Sequence, residues 1–111
     1  MINVLVELDD KGYISCFDVS GHAGYAEPGK DIVCAAVSAV VQAAVLGLTD
    51  VIGLNVKYRQ KNGNARCIIP KRLNIEQREK AEIVLKTMVF GLKSIQSGYS
   101  EYISVLEKEA E

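Results

Sequence analysis

Tryptophan is missing from the chain, histidine occurs once, proline twice and cysteine three times, and neither sign of charge dominates. An odd number of cysteines does not make a disulfide framework. The first ten residues, MINVLVELDD, alternate at once and lack the positive flank, apolar block and small-residue cleavage site of a secretory signal. Reduced thiols and a cytoplasmic setting are therefore expected. A zinc site built from Cys16, His22, Cys34 and Cys67 would lack any close-spaced ligand pair, so no metal is expected. Thirteen Lys and Arg against 14 Asp and Glu leave a net charge of -1, no overall footprint for a phosphate backbone or an anionic membrane. Neither direct nucleic-acid binding nor membrane binding is expected. No linker, repeat or low-complexity tract divides the 111 residues, which read as one domain spanning 1–111. A domain of that length buries roughly two-thirds of its unfolded surface and needs no staple.

Long apolar runs are also scarce. The one present, Ile32 to Leu48, is interrupted by Ser38 and Gln42 and barely reaches the roughly 17 residues of a membrane span. Its alanine content favours a central buried helix. Ala35, Ala39 and Ala43 recur at spacing four, which would let that helix approach a sheet or another subunit closely.

What the sequence does contain is regular periodicity. Ile2, Val4, Val6 and Leu8 alternate as a strand does, DDKG at 9–12 supplies turn chemistry, and Tyr13 to Ser20 reads as the returning strand. Beyond the apolar helix, Leu54, Val56 and Tyr58 alternate up to Asn62-Gly63, which suits the positive φ angles of a tight hairpin, and Ala65, Cys67 and Ile69 alternate back. Asn74 with Gln77 three residues on forms a capping pair. Ala81, Val84, Leu85, Met88, Leu92 and Ile95 then keep helical spacing until Gly98. Tyr102 to Glu107 adds a last strand, with a short helix as the alternative. The order ββαββαβ predicts an α+β fold of two layers, a mainly antiparallel sheet packed with two helices.

The chemistry concentrates in GHAGYAEPGKDIVC, residues 21–34. Gly24, Gly29 and Lys30 match the spacing of a phosphate-binding loop, but Asp31 stands where that motif needs a hydroxyl. A carboxylate there would occupy the helix N–H groups a phosphate requires and repel the ligand. Hairpin-connected strands also do not build the parallel sheet of the nucleotide folds. No cofactor is therefore expected, and Lys30 reads as solvated. With Asp31 as helix cap, Cys34 would fall in the first turn, where the dipole favours a thiolate. His22 lies at the other end of the loop as a general base within reach of that thiol. Gly21, Gly24 and Gly29 read as hinges of a loop able to close on an extended peptide. Ser38, one turn below Cys34, reads as satisfying a backbone carbonyl or supporting the site. Cys16 and Cys67 fall in strands and read as packing. Composition and spacing leave open two alternatives to a thiol hydrolase: a non-catalytic interaction module with Cys34 as packing, and a phosphate-binding protein.

GHAGYAEPGKDIVCAAVSA resembles the signature of the ribosomal-processing cysteine proteases, the Prp family, and FGLKS at 90–94 is similar to the end of that family's second helix. The resemblance extends over the whole chain. It implies a cytoplasmic, homodimeric cysteine endopeptidase that removes the N-terminal extension of large ribosomal subunit protein twenty-seven. It further implies Cys34 as nucleophile, His22 as base and Asp31 as a third signature residue; by its own chemistry Asp31 reads as a helix cap or orienting group.

Overall fold

The computed structural model describes residues 1–21 and 28–110, with residues 28–31 described by their backbone alone. Strand β1 (Ile2–Leu8) and strand β2 (Ile14–Ser20) form an antiparallel pair. Their turn is held by Asp9, whose Oδ1 accepts from the backbone N–H groups of Lys11 and Tyr13 at 2.9 and 3.0 Å. Helix α1 (Pro28–Leu46) follows and loosens into a π-helical turn at Gly47–Val51. Strands β3 (Lys57–Lys61) and β4 (Asn64–Ile68) form the second hairpin, helix α2 (Ile75–Gly98) follows, and strand β5 (Ile103–Glu109) closes the sheet.

The strand order is β3-β4-β2-β1-β5. Three neighbouring pairs are antiparallel, while β5 runs parallel to β1 in register from Ile2 opposite Ile103 to Leu8 opposite Glu109. The expected α+β fold is present, and the last element is a strand. Asn62 and Gly63 carry φ angles of +50° and +80°, the left-handed pair that a two-residue hairpin turn requires.

One face of the sheet carries the core. Val4, Val6, Phe17 and Cys67 are buried on it and meet Val33, Val37, Leu48, Leu85 and Leu92 from the helical layer. The opposite face holds Asn3, Arg59, Arg66, Ile68 and Leu106, all exposed. The cap of α2 is as expected. Asn74 Oδ1 accepts from Gln77 N at 2.8 Å, and Gln77 Oε1 accepts from Asn74 N at 3.0 Å.

Helix α1 differs from its expectation in two ways. It is not central and enclosed: only the stripe Val33, Val37, Val41, Ala44, Val45 faces the core, while Ile32, Ala35, Ala39, Ala43 and Leu46 are exposed. The alanines at spacing four thus look away from the sheet. Ile32–Val51, with mean hydropathy 2.2, is long and apolar enough to cross a membrane by length and composition, yet its inner stripe is part of the core. The helix also begins at Pro28, so Asp31 lies inside the first turn and not on its cap. Proline suits a first helical position, because its φ is already helical and the missing N–H would have had no helical partner. Gly29, read as a loop hinge, falls in that same turn.

Candidate active site

Earlier entry into the helix places Cys34 as its seventh residue, in the second turn. The dipole effect fades beyond the first turn, so position on the helix is not what singles this thiol out. Surroundings are. Cys34 is half-buried and lines a cleft of about 180 Å³. One wall is the α1 row Cys34, Val37, Ser38, Val41, Gln42; the other is the sheet, through Val19, Tyr58, Gln60 and Ala65. The sheet wall follows from register. Tyr58 pairs with Cys67, and Gln60 with Ala65, so these alternate residues of the second hairpin share the inner face that α1 overlies.

Apolar walls with a few polar groups suit a peptide chain. Ser38 Oγ accepts a hydrogen bond from Gln42 Nε2 at 2.6 Å. Tyr58 Oη donates to Gln60 Oε1 at 3.5 Å, and burial raises the Tyr58 phenol above its ordinary pKa of 10.0, keeping it a neutral donor.

Gly21 forms the cleft's edge where β2 ends. Its N–H points to Asn64 Oδ1 at 3.4 Å, its φ is +78°, and a Cβ there would collide with the carbonyl oxygen of Met1. Only glycine meets both conditions. Gly21 is thus held in a fixed backbone conformation at the end of β2. His22 and Gly24 lie outside the described residues, as do the side chains of Lys30 and Asp31.

The other two cysteines differ in kind. Cys16 is 4% exposed and Cys67 fully buried, and burial pushes their thiols up to about 11 and about 12. Such thiols stay protonated and unreactive at neutral pH, in keeping with a packing role. None of the three is in a disulfide, and no group of three metal-ligating side chains occurs among the described residues.

Gln42, Tyr58, Gln60 and Asn64 were not singled out in the sequence. Gln42 carries a faint signal as a polar residue inside an apolar helix. The hairpin residues carry none, because only the sheet order brings their strand opposite α1.

The chain is similar along most of its length to known proteins. The family model described as "Cysteine protease Prp" matches residues 1–104. A protein of Bacillus subtilis named ribosomal processing cysteine protease Prp is 35% identical over 98 residues, covering 86% of this chain and 87% of its own. Two crystal structures of the essential ribosomal processing protease Prp from S. aureus superpose with TM-scores of 0.84 and 0.86. They are 28% and 26% identical and cover 97% of this chain and all of theirs. The first holds a covalently linked product peptide, the second a substrate peptide.

Proposed function

Because the chain belongs to the Prp family of cysteine proteases, we propose that it cleaves the N-terminal extension from large ribosomal subunit protein twenty-seven, with Cys34 as nucleophile and His22 as general base. The observation that carries the reading is the contrast among the cysteines. One is half-buried in the cleft between α1 and the sheet, whereas the other two are enclosed and held protonated by burial. The S. aureus relative, held with a covalently linked product peptide, supports a peptide as the ligand of this fold.

In this mechanism His22 takes the proton from Cys34 Sγ as the sulfur attacks the scissile carbonyl. The tetrahedral oxyanion is held by backbone N–H groups, and collapse expels the leaving amine, which takes the proton from His22. Water, deprotonated in turn by His22, then attacks the thioester and releases the acid and the thiol. Asp31 acts from within the first turn of α1 as an orienting residue. Gly21 fixes the backbone at the residue preceding the base. We read the compartment as the cytoplasm and the assembly as a homodimer, paired through the exposed apolar face of α1. Small residues such as Ala35, Ala39 and Ala43 would admit a second helix closely there.

The test is to incubate the protein with the extended ribosomal protein and follow substrate mass. Loss of the extension is expected, and is abolished in Cys34→Ala and His22→Ala. In parallel, iodoacetamide at neutral pH should label Cys34 at least tenfold faster than Cys16 or Cys67, read by peptide mapping. An uncut substrate would refute the assignment, and equal labelling would return Cys34 to a packing role.

A further inference from the structure

The near-zero net charge averages over surfaces that are not alike. Between Asp50 and Glu76 there is no acidic residue, while six of the thirteen basic residues fall there: Lys57, Arg59, Lys61, Arg66, Lys71 and Arg72. The fold sorts them further. Lys57, Arg59 and Lys61 alternate along β3, so all three project from one face, and their register partners Ile68, Arg66 and Asn64 share it. Tyr58 and Gln60 take the other face and line the cleft. The hairpin is therefore two-sided, with cleft wall within and a cationic ladder without, its rungs roughly 6.5–7 Å apart.

One pairing on that outer face is costly. Arg59 lies directly opposite Arg66, and like charges in directly opposed positions destabilise a sheet. Arg66 is compensated by Asp18, its Nη1 lying 2.6 Å from Asp18 Oδ2 across the β2–β4 pair. No acidic register partner faces Lys57, Arg59 or Lys61 on this edge strand, and all three are exposed. Lysine at an exposed edge also discourages strand addition by another chain, but that purpose does not call for two opposed arginines.

We propose that this outer face of β3 and β4 docks on the phosphate backbone of double-stranded RNA. A row of cations on an exposed sheet face matches a polyanion. The described residues of that face include no aromatic ring, so the base stacking that holds single strands is missing. Duplex RNA is recognised mainly through its shape and backbone, which a cationic ladder can meet without reading sequence. The choice of RNA over other polyanions rests on the ribosomal reading of the substrate. The phosphate contact rests only on the charge pattern. Docking through the back of the hairpin would hold the cleft, on its front, close to an RNA-bearing particle.

The experiment uses the full-length Cys34→Ala protein and a fluorescein-labelled 16-base-pair RNA duplex, with fluorescence anisotropy measured from 50 to 200 mM salt. Three phosphate contacts predict a log–log salt slope of about -3 and a dissociation constant of roughly 10 μM at the low-salt end. The triple substitution Lys57→Gln, Arg59→Gln, Lys61→Gln should weaken binding at least tenfold with an unchanged thermal midpoint. In the Cys34 background it should leave cleavage of a short peptide substrate intact. Each single substitution should reduce the slope by about one, and Arg59→Lys should retain it, which keeps the test decisive if the triple variant folds poorly. No binding at 50 mM salt, or binding indifferent to these substitutions, would overturn the proposal. So would equal or tighter binding to duplex DNA, polyglutamate or anionic lipid vesicles. Failure of the binding leaves peptide cleavage untouched, so it is distinguishable from failure of the protease assignment.

Discussion

Among the described residues Glu82 is the buried carboxylate, 7% exposed, on the inward side of α2. Its Oε1 accepts from the backbone N–H of Ile14 at 2.8 Å, tying the start of β2 to the helix, while Oε2 has no hydrogen-bond partner. Burial raises its pKa above the ordinary carboxylate range, opposed by the Ile14 N–H and by Lys86 and Arg78. A raised acid pKa means the folded chain binds the proton more tightly than the unfolded one. Its contribution therefore favours the fold at low pH and is lost as pH rises through the folded value. Glu82→Gln keeps an acceptor for Ile14 and removes the charge. It should raise stability at pH 7 by on the order of 1 kcal/mol, with the gap from wild type closing toward pH 4, measured by urea unfolding across pH. A gap that widens on acidification would contradict the sign. At this scale the sequence is most legible where chemistry is local. An odd thiol after a glycine-rich loop draws attention to Cys34, which the fold leaves half-buried at a cleft, whereas Glu82 looks in sequence like any helical glutamate, since its burial depends on where the first hairpin lands.

Among the elements, α2 was read nearly to the residue because its signals are self-contained: Asn74 and Gln77 cap it reciprocally. Replacing Asn74 by Ala removes the acceptor for Gln77 N–H and should cost about 1 kcal/mol. That lowers the melting temperature by roughly 4 °C, while Asn74→Asp should leave it nearly unchanged in the same calorimetric scan. Helix α1 was harder because two start signals competed. Asp31 is a good cap residue, but Pro28 is equally suited to a first helical position, and the helix takes the earlier start. The start of β3 was misjudged for a different reason. Leu54 continues the alternation of Val56 and Tyr58, yet its N–H donates to Leu48 O at 2.8 Å, so the residue belongs to the end of the π-helical turn and the ladder begins only at Lys57.

For the whole molecule, the composition of the two layers was legible and their arrangement was not. Sheet order decides which hairpin faces α1, and hence which side chains complete the cleft, and that order depends on contacts between distant segments. The same scale governs assembly. The exposed stripe Ile32, Ala35, Ala39, Ala43, Leu46 lies beside Ile83 and Phe90 of α2, 68% and 72% exposed. The two helices touch where Gly91 admits Val40 and Gly47 admits Val84. If this face pairs two copies, Ala39→Arg should halve the mass seen by light scattering without lowering helical content. A chain that is monomeric before substitution would remove the homodimer reading.

The parallel pairing of β5 with β1 also sets a timetable. Ile2 forms part of the cleft lining, and its N–H donates to Tyr102 O at 2.8 Å, a bond between segments about a hundred residues apart. At the usual 5–20 residues per second of synthesis, β1 waits roughly 5–20 s for the strand that completes its second edge. Pairings of such separation are also the slow ones to form. The groove around Cys34 therefore gains this support only when β5 emerges and docks, so until then the first strand of the nascent chain keeps one edge unpaired.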